Sequence, residues 1–272
     1  MSNLPYYDDT GLSAAFYDVV SSAYPFRGDI DFYADLVGPA GSSVLELGCG
    51  TGRIVIALAE RGYGVFGVDL APAMIQRAAM KCERLPPEVG SRIALMQGDM
   101  TRIVLDRQFD GAIIPFYGYA HLGTPTARAD ALAVVARHLK PGGKAAIHLP
   151  AHAMLRQPLG DEELSGPYNA AGDSVRIRVV ARTFAEDTGR FCQVMEYTLI
   201  DPAGTITRQS REELVYHAVD RTEIVRNAER CGLSLAGVLG DFDGSDTGRE
   251  AIYVFVRRET AHTSVESYGV PD

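Results

Sequence analysis

The chain has 272 residues, which is enough for one large domain, or for one domain with an insertion, around a single core. Hydrophobic residues make up 46% and charged residues 22%, as in ordinary soluble proteins, and this excludes global disorder. Because 35 acidic residues outnumber 26 Lys and Arg, the net charge is −9, which argues against a phosphate-binding surface for DNA or RNA. We therefore expect a small-molecule partner and no nucleic acid.

The cysteines and the N-terminus indicate a compartment. The 4 cysteines form no C-x-x-C pair and lie at no zinc-ligand spacing from a histidine, so we expect free thiols and no metal site. Free thiols are typical of a reducing compartment. The first residues lack the basic and apolar segments of a signal peptide, and no apolar run reaches membrane-spanning length. The sequence therefore predicts a cytoplasmic protein with no membrane partner.

Short apolar strands alternate with amphipathic helices between residues 42 and 150. This alternation predicts an α/β fold with a doubly wound, mostly parallel sheet and right-handed crossovers. The predicted strands are 43–47, 64–69, 92–97, 109–116 and 144–149, and the clearest helices are 54–61 and 126–139.

After residue 150 the pattern changes to long stretches with period-2 alternation. Three of them, separated by short turn signals, predict an antiparallel meander, and a helix and two strands follow. The predicted meander strands are 174–184, 191–200 and 205–216, the helix is 220–231, and the last strands are 233–239 and 250–257.

These patterns divide the chain into five predicted segments. The β insertion has two interpretations, a lid over a substrate pocket or the surface of a homodimer, and period-2 strands fit both. The segments are an N-terminal helical cap (1–40), an α/β core (41–150), the antiparallel β insertion (151–218), the C-terminal part of the core (219–258) and a loose tail (259–272).

A glycine run, GCGTG at residues 48–52, joins the first predicted strand to the first helix. Glycines there let the backbone turn sharply and approach a ligand, and the helix N-terminus that follows offers unpaired N–H groups. A dinucleotide fingerprint, G-x-G-x-x-G, requires glycine where this chain has Arg53, so the spacing argues against a pyrophosphate ligand. Alone, the run fits a tight turn as well as a ligand loop.

Two acids end the next two predicted strands at the same edge of the sheet. Asp69 lies 21 residues after Gly48, where an acid can bind both hydroxyls of a ribose, with a helix cap as the alternative. Asp99 precedes Met100, and such a pair can accept the amino group of an adenine and cover its ring, with a turn residue as the alternative. Because these strand ends meet in one crevice, the sequence predicts an adenosyl ligand there.

With these motifs the sequence resembles the class I S-adenosylmethionine (SAM)-dependent methyltransferases. The resemblance covers residues 44–149 and is carried by VLELGCGTGR (44–53), GVDL (67–70), QGDM (97–100) and LKPGG (139–143). It implies SAM as the cofactor and S-adenosylhomocysteine as the product. It also implies seven core strands which, numbered along the chain, lie in the order 3-2-1-4-5-7-6 with strand 7 antiparallel.

The resemblance also implies roles for individual residues. It assigns Glu46 to the methionine ammonium, the glycine run to the methionine and ribose, Asp69 to the ribose, and Asp99 with Met100 to the adenine. The full set of implied cofactor-binding residues is Tyr17, Glu46, Gly48, Cys49, Gly50, Gly52, Asp69, Leu70, Met74, Asp99, Met100 and Pro115.

A looser resemblance extends over the whole chain. The segment FYD (16–18), the strand-rich insertion and the segment GDF (240–242) are similar to small-molecule methyltransferases of bacterial secondary metabolism. The N,N-dimethyltransferases of nucleotide-linked aminosugars share this layout. It implies that Tyr17 closes over the methionine end of SAM, with core packing as the alternative, and Tyr24 and Arg27 lie on the same predicted cap.

The acceptor side is less defined by the sequence. A sulfonium methyl is already activated, so the protein mainly aligns the acceptor with it and excludes water, and no metal is needed. A base matters only for an acceptor that is protonated at the working pH. The loops after the fourth and fifth strands carry the candidate catalytic residues, Tyr119, His121 and His152, with packing or surface roles as the alternative.

Two further histidines receive structural interpretations. His148 stands at an alternating position of the fifth strand, so we expect it to be buried and hydrogen-bonded. His138 ends a helix, and we expect it at the surface.

The leading hypothesis is a SAM-dependent methyltransferase that modifies a hydroxyl or an amine of a small metabolite. Two alternatives stay open. One is a non-catalytic SAM-binding regulatory module, and the other is an RNA or protein methyltransferase, which the acidic net charge does not favour.

Overall fold

The structure is a computed structural model that describes residues 4–8, 10–23, 28–160, 163–167, 172–245 and 248–259. Tyr24 and Arg27 of the predicted cap, and all but the first residue of the predicted tail, lie outside the described residues. Within the described ranges, no helix is both long enough and apolar enough to cross a membrane.

Strands and helices alternate through the first half of the described chain, and strands dominate the second half. The strands are β1 (Leu4–Pro5), β2 (Ser43–Leu47), β3 (Gly64–Asp69), β4 (Ile93–Gln97), β5 (Phe109–Ile114), β6 (Leu139–Pro150), β7 (Glu163–Pro167), β8 (Ser174–Ala185), β9 (Arg190–Ile200), β10 (Ile206–His217), β11 (Leu233–Leu239) and β12 (Glu250–Arg257). The helices are α1 (Ser13–Ala23), α2 (Asp29–Val37), α3 (Arg53–Glu60), α4 (Pro72–Cys82), α5 (Pro87–Gly90), α6 (Pro125–His138), α7 (His152–Leu155) and α8 (Arg221–Arg230), and a 3-10 turn spans Gly118–His121.

A seven-stranded sheet with the order β11-β12-β6-β5-β2-β3-β4 forms the core. The five neighbouring strands β6, β5, β2, β3 and β4 pair in parallel, whereas β12 is antiparallel to both of its neighbours, β6 and β11. Numbered along the chain, the core strands therefore lie in the order 3-2-1-4-5-7-6, which is the order that the family resemblance implies. The carboxyl ends of β2, β3, β4, β5 and β6 meet at one edge.

Helices cover both faces of this sheet, as the alternation along β2 shows. Leu45 and Leu47 belong to one buried apolar cluster together with residues of α6 and α8. Successive residues of a strand point to opposite faces of the sheet. Val44, which precedes Leu45, accordingly belongs to a second cluster with residues of α2 and α3. A sheet buried on both faces explains why its strands are near-continuous apolar runs.

The strand-rich half forms a second, five-stranded sheet with the order β1-β10-β9-β8-β7. The strands from β7 to β10 are antiparallel neighbours, and the short β1 pairs in parallel with β10. The three long strands correspond to the meander of the sequence analysis, whereas β1 and β7 have no counterpart there. The division into domains, and the choice between a lid and a dimer surface, stay predictions.

Helix α1 is tied to the second sheet by a buried carboxylate. Glu212 of β10 is fully buried, and its Oε1 accepts the backbone N–H groups of Leu12 (2.5 Å) and Ser13 (3.0 Å) and the hydroxyl of Ser210 (2.8 Å). These N–H groups lie at the start of α1, where a helix carries partial positive charge. The long second sheet therefore fixes where α1 begins.

Two local expectations differ from the structure. The sequence predicts a helix to residue 139 and a strand from residue 144, but β6 begins at Leu139, which pairs with Phe109 before a register shift. His138 is buried, not at the surface: its Nε2 accepts the Leu105 N–H (2.9 Å) and its Nδ1 contacts the Val134 carbonyl (2.7 Å). Both ring nitrogens thus satisfy backbone groups that would otherwise be buried without partners.

Candidate active site

The glycine run forms the loop between β2 and α3 at the carboxyl edge of the sheet. Gly48, Gly50 and Gly52 have φ values of 80°, 54° and 83°, and glycine adopts these without the steric cost of a Cβ. The N–H groups of Gly48 (2.7 Å) and Cys49 (2.9 Å) both donate to the Val68 carbonyl of β3. The loop is therefore held against the neighbouring strand by its own backbone.

Two residues of the run serve packing. The Cys49 side chain is buried, and a Cβ on Gly67 would lie 3.0 Å from its Sγ. Burial raises the pKa of this thiol. A Cβ on Gly52 would lie 3.2 Å from the Ala78 Cβ, so this glycine lets α3 and α4 approach each other. The predicted cofactor contacts of Cys49 and Gly52 would therefore involve their backbone atoms.

The acid at the end of β3 lies beside the glycine run. Asp69 Oδ2 accepts the Gly50 N–H (2.8 Å) and its Oδ1 accepts the Ala71 N–H (2.9 Å). Burial raises the pKa of Asp69, while these backbone hydrogen bonds lower it. The adjacent Leu70 is 67% exposed, whereas Met74, on the helix that follows, is only 1% exposed.

The third strand end reaches the same loop. A Cβ on Gly48 would lie 3.5 Å from the Met100 Cε, so Met100 stands directly beside the glycine run. Asp99 Oδ1 accepts both the N–H (2.9 Å) and the hydroxyl (2.7 Å) of Thr101, which is the turn role held open as its alternative. Its side chain is still 37% exposed, and its Oδ2 lies 3.6 Å from the Nε of the exposed Arg102.

Glu46 presents a buried carboxylate to the same crevice. It is 1% exposed, and its Oε2 has no hydrogen-bond partner among the described residues. Burial raises its pKa well above the usual range, and nearby Arg53 acts in the opposite direction. An orphaned buried carboxylate oxygen is costly unless a ligand group pairs with it, and an ammonium has the matching charge.

Helix α1 covers the glycine run. A Cβ on Gly50 would lie 3.5 Å from the Tyr17 ring, and burial raises the pKa of the Tyr17 hydroxyl. The next residue, Asp18, accepts the Thr51 hydroxyl (2.6 Å) and forms an ion pair with Lys81 of α4 (2.6 Å). Tyr17 is thus placed over the loop and held there by a polar contact that the sequence patterns did not reveal.

The loop after β5 turns Tyr119 away from the crevice. Pro115 is buried at the end of the strand, and Phe116 and Tyr117 both have positive φ, 47° and 64°. Tyr119 is fully buried, and its hydroxyl donates to the Arg128 carbonyl (2.9 Å). Because the 3-10 turn points this side chain into the core, Tyr119 does not line an acceptor site as expected.

A partly open cavity of about 360 Å³ lies beside the paired strands β1 and β10. His121 is at one end of it, the tyrosine pair of the N-terminal segment is along it, and one carboxylate faces it. The lining residues are Leu4, Pro5, Tyr6, Tyr7, His121, Glu213 and Val215.

A row of rings joins this cavity to the glycine run. The ring centroids of Tyr7 and Tyr17 are 5.9 Å apart, and those of Tyr7 and His121 are 6.2 Å apart. On the other side, Tyr17 meets Phe116 edge to face at 6.0 Å. Tyr17 therefore lies between the glycine run and Tyr7, which lines the cavity.

His121 is neutral over most of the pH range. Its ring is surrounded by protein groups, and this desolvation lowers its pKa to about 4, with a backbone hydrogen bond to Val215 acting the other way. The residue as a whole is nevertheless exposed, and it lines the cavity. At neutral pH its imidazole can accept a hydrogen bond but holds a proton poorly.

His152 lies outside this arrangement. It is exposed at the start of α7, and its Nε2 lies 3.2 Å from the Val219 carbonyl. Of the three candidate catalytic residues, the structure brings only His121 to the cavity beside Tyr17.

Other residues of the site escaped the sequence analysis. Tyr6, Tyr7 and Glu213 line the cavity, and Glu250 of β12 contacts Tyr117 and His148. Residues 213 and 250 lie on strands β10 and β12. The alternation of apolar and polar residues predicts to which side of a strand each side chain points, but not which residues it contacts. The paired tyrosines near the N-terminus were the only available signal.

Comparison with known proteins gives a consistent result. Residues 44–143 match the family model described as "Methyltransferase domain". The chain is 30% identical over 262 residues to the cypemycin N-terminal methyltransferase of a Streptomyces species, a match that covers 95% of this chain and 100% of that protein.

Two solved structures are similar over most of their length. The sugar N-methyltransferase KedS8 from Streptoalloteichus has a TM-score of 0.74 at 22% identity, with 95% of this chain and 98% of that chain covered. CalS10, an amino pentose methyltransferase from Micromonospora echinaspora, has a TM-score of 0.66 at 25% identity, with 88% and 96% covered.

Proposed function

The chain belongs to the class I SAM-dependent methyltransferases, and on that premise we propose that it transfers the methyl group of SAM to an amine nitrogen of a small molecule. The observation that supports the amine is the cavity beside Tyr17. Of its described lining residues, Glu213 carries the one carboxyl group, and the lowered pKa of His121, about 4, leaves that ring neutral at neutral pH. A carboxylate among tyrosine rings favours an ammonium over a neutral alcohol.

The similar proteins support the same acceptor class. One is named for N-terminal methylation, one for sugar N-methylation, and one for an amino pentose. An alcohol acceptor is less favoured because no described group in the cavity stands out as a base strong enough to deprotonate it.

The crevice residues fit SAM, which supplies a methyl group already activated as a sulfonium. Glu46 would pair with the methionine ammonium, because its orphaned oxygen and its burial both require a cationic partner. Asp69 would accept the ribose hydroxyls from its place against the glycine run. Leu70 and Met100 would cover the adenine, beside Asp99.

The remaining task of the protein is alignment and proton handling. Tyr17 lies between the cofactor loop and the cavity, so it orders the approach of the acceptor and excludes water from the reacting atoms. Glu213 attracts the ammonium, and neutral His121 accepts a hydrogen bond from the amine N–H. Because an ammonium has no free electron pair, it gives one proton to water before its nitrogen accepts the methyl group, and His121, with a pKa of about 4, is too weak a base to keep that proton.

Cofactor binding is tested by calorimetry with SAM and S-adenosylhomocysteine. We expect both to bind, and Asp69→Ala to weaken SAM binding at least tenfold, about 1.4 kcal/mol. Asp220→Ala is the matched control, because Asp220 also accepts two backbone N–H groups but caps the distant α8. Binding of neither compound, or equal effects of the two substitutions, contradicts the assignment.

The acceptor class is tested with methyl-labelled SAM and pairs of compounds that differ only in an amine or a hydroxyl. We expect label on the amines, and Glu213→Gln to raise the KM for the amine while leaving SAM affinity unchanged. Preferential labelling of the alcohols overturns the amine proposal. Label in the macromolecular fraction of a cell extract favours a protein or RNA methyltransferase, and SAM binding without any transfer favours a regulatory module.

A further inference from the structure

A buried polar network joins three strand ends next to the proposed methyl-transfer site. The Tyr117 hydroxyl donates to both carboxylate oxygens of Glu250, at 2.8 and 2.7 Å. His148 Nε2 lies 2.6 Å from the Oε2 of the same carboxylate. The His148 and Glu250 side chains are only 1% and 8% exposed, so the contacts form away from water.

We propose that Glu250, held by His148, is a positioning residue for methyl transfer, because it fixes Tyr117 and with it the loop that presents Phe116 to Tyr17. The proposal rests on the proposed function. It concerns how the loop is held and not which group accepts the methyl.

The topology explains why these residues meet. His148 stands near the carboxyl end of β6, and Glu250 begins the antiparallel neighbour β12, where Ile252 pairs with His148 and Glu250 with Pro150. Tyr117 follows β5, the parallel neighbour of β6 on the other side. The network therefore joins the loop after β5 to the ends of β6 and β12 at the edge of the sheet where the crevice opens.

The loop needs such a restraint. Phe116 and Tyr117 are consecutive residues in the left-handed region, with φ values of 47° and 64°, and neither is glycine. Bulky residues adopt this region only when the surrounding structure imposes it. The bond from the Tyr117 hydroxyl to Glu250 and the packing of its ring on His148 (4.8 Å) supply that constraint.

The held loop contacts both halves of the proposed site. Toward the cofactor, the Phe116 ring meets Tyr17 at 6.0 Å, and a Cβ on Gly118 would lie 3.9 Å from the Met100 Cε. Toward the cavity, Tyr117 meets Tyr216 edge to face at 5.6 Å, and Tyr216 in turn contacts His121 at 4.8 Å. Movement of this loop changes the alignment of acceptor and methyl group more than it changes cofactor binding.

The test uses Tyr117→Phe, which removes the bond, and Glu250→Gln, which removes the charge that strengthens the bond and keeps only one oxygen acceptor; both substitutions keep the shape of the side chain. We expect kcat to fall about tenfold or more in each, SAM affinity to change less than about threefold, and the double variant to be no slower than the slower single one. The control is Tyr63→Phe, which also loses a buried tyrosine bond, to the Gly38 carbonyl (2.7 Å), near the start of β3 at the opposite edge of the sheet. Its kcat should stay unchanged.

A second measurement does not depend on turnover. The chain contains no tryptophan, so Phe116→Trp introduces a single tryptophan into the loop, whose fluorescence is excited selectively at wavelengths that the tyrosines do not absorb. In that background, Tyr117→Phe and Glu250→Gln should raise the acrylamide quenching constant, and Tyr63→Phe should not.

Each outcome decides the proposal. Unchanged quenching shows that the network does not hold the loop, and a mobile loop with unchanged kcat shows that holding it does not position the reaction. Additive losses in the double variant also overturn it, because two members of one network cannot lose the same bond twice. If the wild-type protein transfers no methyl to any acceptor, the proposed function fails, and the quenching data still decide whether Glu250 and Tyr117 restrain the loop.

Discussion

The carboxylate of Glu212 provides a test of how the second sheet controls the active site. Glu212→Gln keeps the size of the side chain and one oxygen acceptor but removes the charge. The fully buried carboxylate accepts two backbone N–H groups at the start of α1, from Leu12 (2.5 Å) and Ser13 (3.0 Å). Tyr17 and Asp18 lie on the same helix. Loosening the helix start should therefore reach the cofactor loop.

The magnitude follows from the two hydrogen bonds. Bonds to a charged group contribute about 1.5–3 kcal/mol and neutral ones about 0.5–1.5 kcal/mol, so each loses about 1 kcal/mol on neutralisation. Both carboxylate oxygens of Glu212 contact the Ser13 N–H. In the Gln variant the amide group replaces one of these oxygens, so two donors face each other there. We expect a loss of about 2 kcal/mol, which is about 30-fold in the equilibrium for opening α1.

Hydrogen–deuterium exchange measures this opening. The Phe16 N–H, bonded to the Leu12 carbonyl in the first turn of α1, should exchange about 30-fold faster. The Ile56 N–H, bonded to the Gly52 carbonyl in α3, should keep its rate. The control is Glu196→Gln, the same substitution on β9, where the carboxylate pairs with Arg211. Unchanged exchange in α1, or equal acceleration in α1 and α3, refutes the reasoning.

Three further predictions concern single residues around the site. Gly11→Ala should destabilise the protein by about 1–3 kcal/mol in denaturant unfolding, because its Cβ would lie 2.6 Å from the Glu212 carboxylate. Gly64→Ala is the control and should have little effect, because a Cβ there has nothing within 4 Å; equal effects of the two substitutions contradict the prediction. His121 should titrate near pH 4 by NMR and leave no inflection near 6.5 in the activity profile. Since its folded pKa is depressed, its contribution to stability is fully present above pH 6.5 and declines as the pH falls toward 4, a dependence that His121→Gln should remove; a midpoint above 6 contradicts the assignment. Asp18→Asn should change the free energy of unfolding by less than about 1 kcal/mol, because its ion pair with Lys81 is half exposed. It should nevertheless weaken SAM binding about threefold to tenfold in calorimetry. The control Asp31→Asn, in the exposed pair with Arg61, should leave SAM binding unchanged, and equal affinities of the two variants would exclude a role for the Asp18 contact.

Much of the cofactor half of the site could be predicted from local sequence. The glycine run and the acids at 69 and 99 follow three successive strands, and the topology of parallel sheets brings such strand ends together whatever else the chain does. Gly48, Gly50, Asp69 and Met100 do lie side by side. The roles within the run were not visible, because only packing distinguishes Gly52 beside Ala78 from a ligand-facing glycine.

The acceptor half could not be predicted in the same way. Tyr119, His121 and His152 follow the right strands, but a 3-10 turn sends Tyr119 into the core and a short helix leaves His152 exposed. A loop's direction depends on which groups restrain it, and here the restraint is Glu250, more than a hundred residues further along the chain.

The sequence by itself therefore determined the α/β class, the family and the loop for the adenosyl cofactor, because those depend on periodicity and on spacing within single strand–turn–helix units. Only the tertiary structure decided which distant residues hold the elements around that loop. Glu212, Glu213 and Glu250 act on Leu12, on the cavity and on Tyr117 from distant strands. Contacts between residues far apart in the chain leave no local pattern, and they arise only when two sheets and the N-terminal helix pack together.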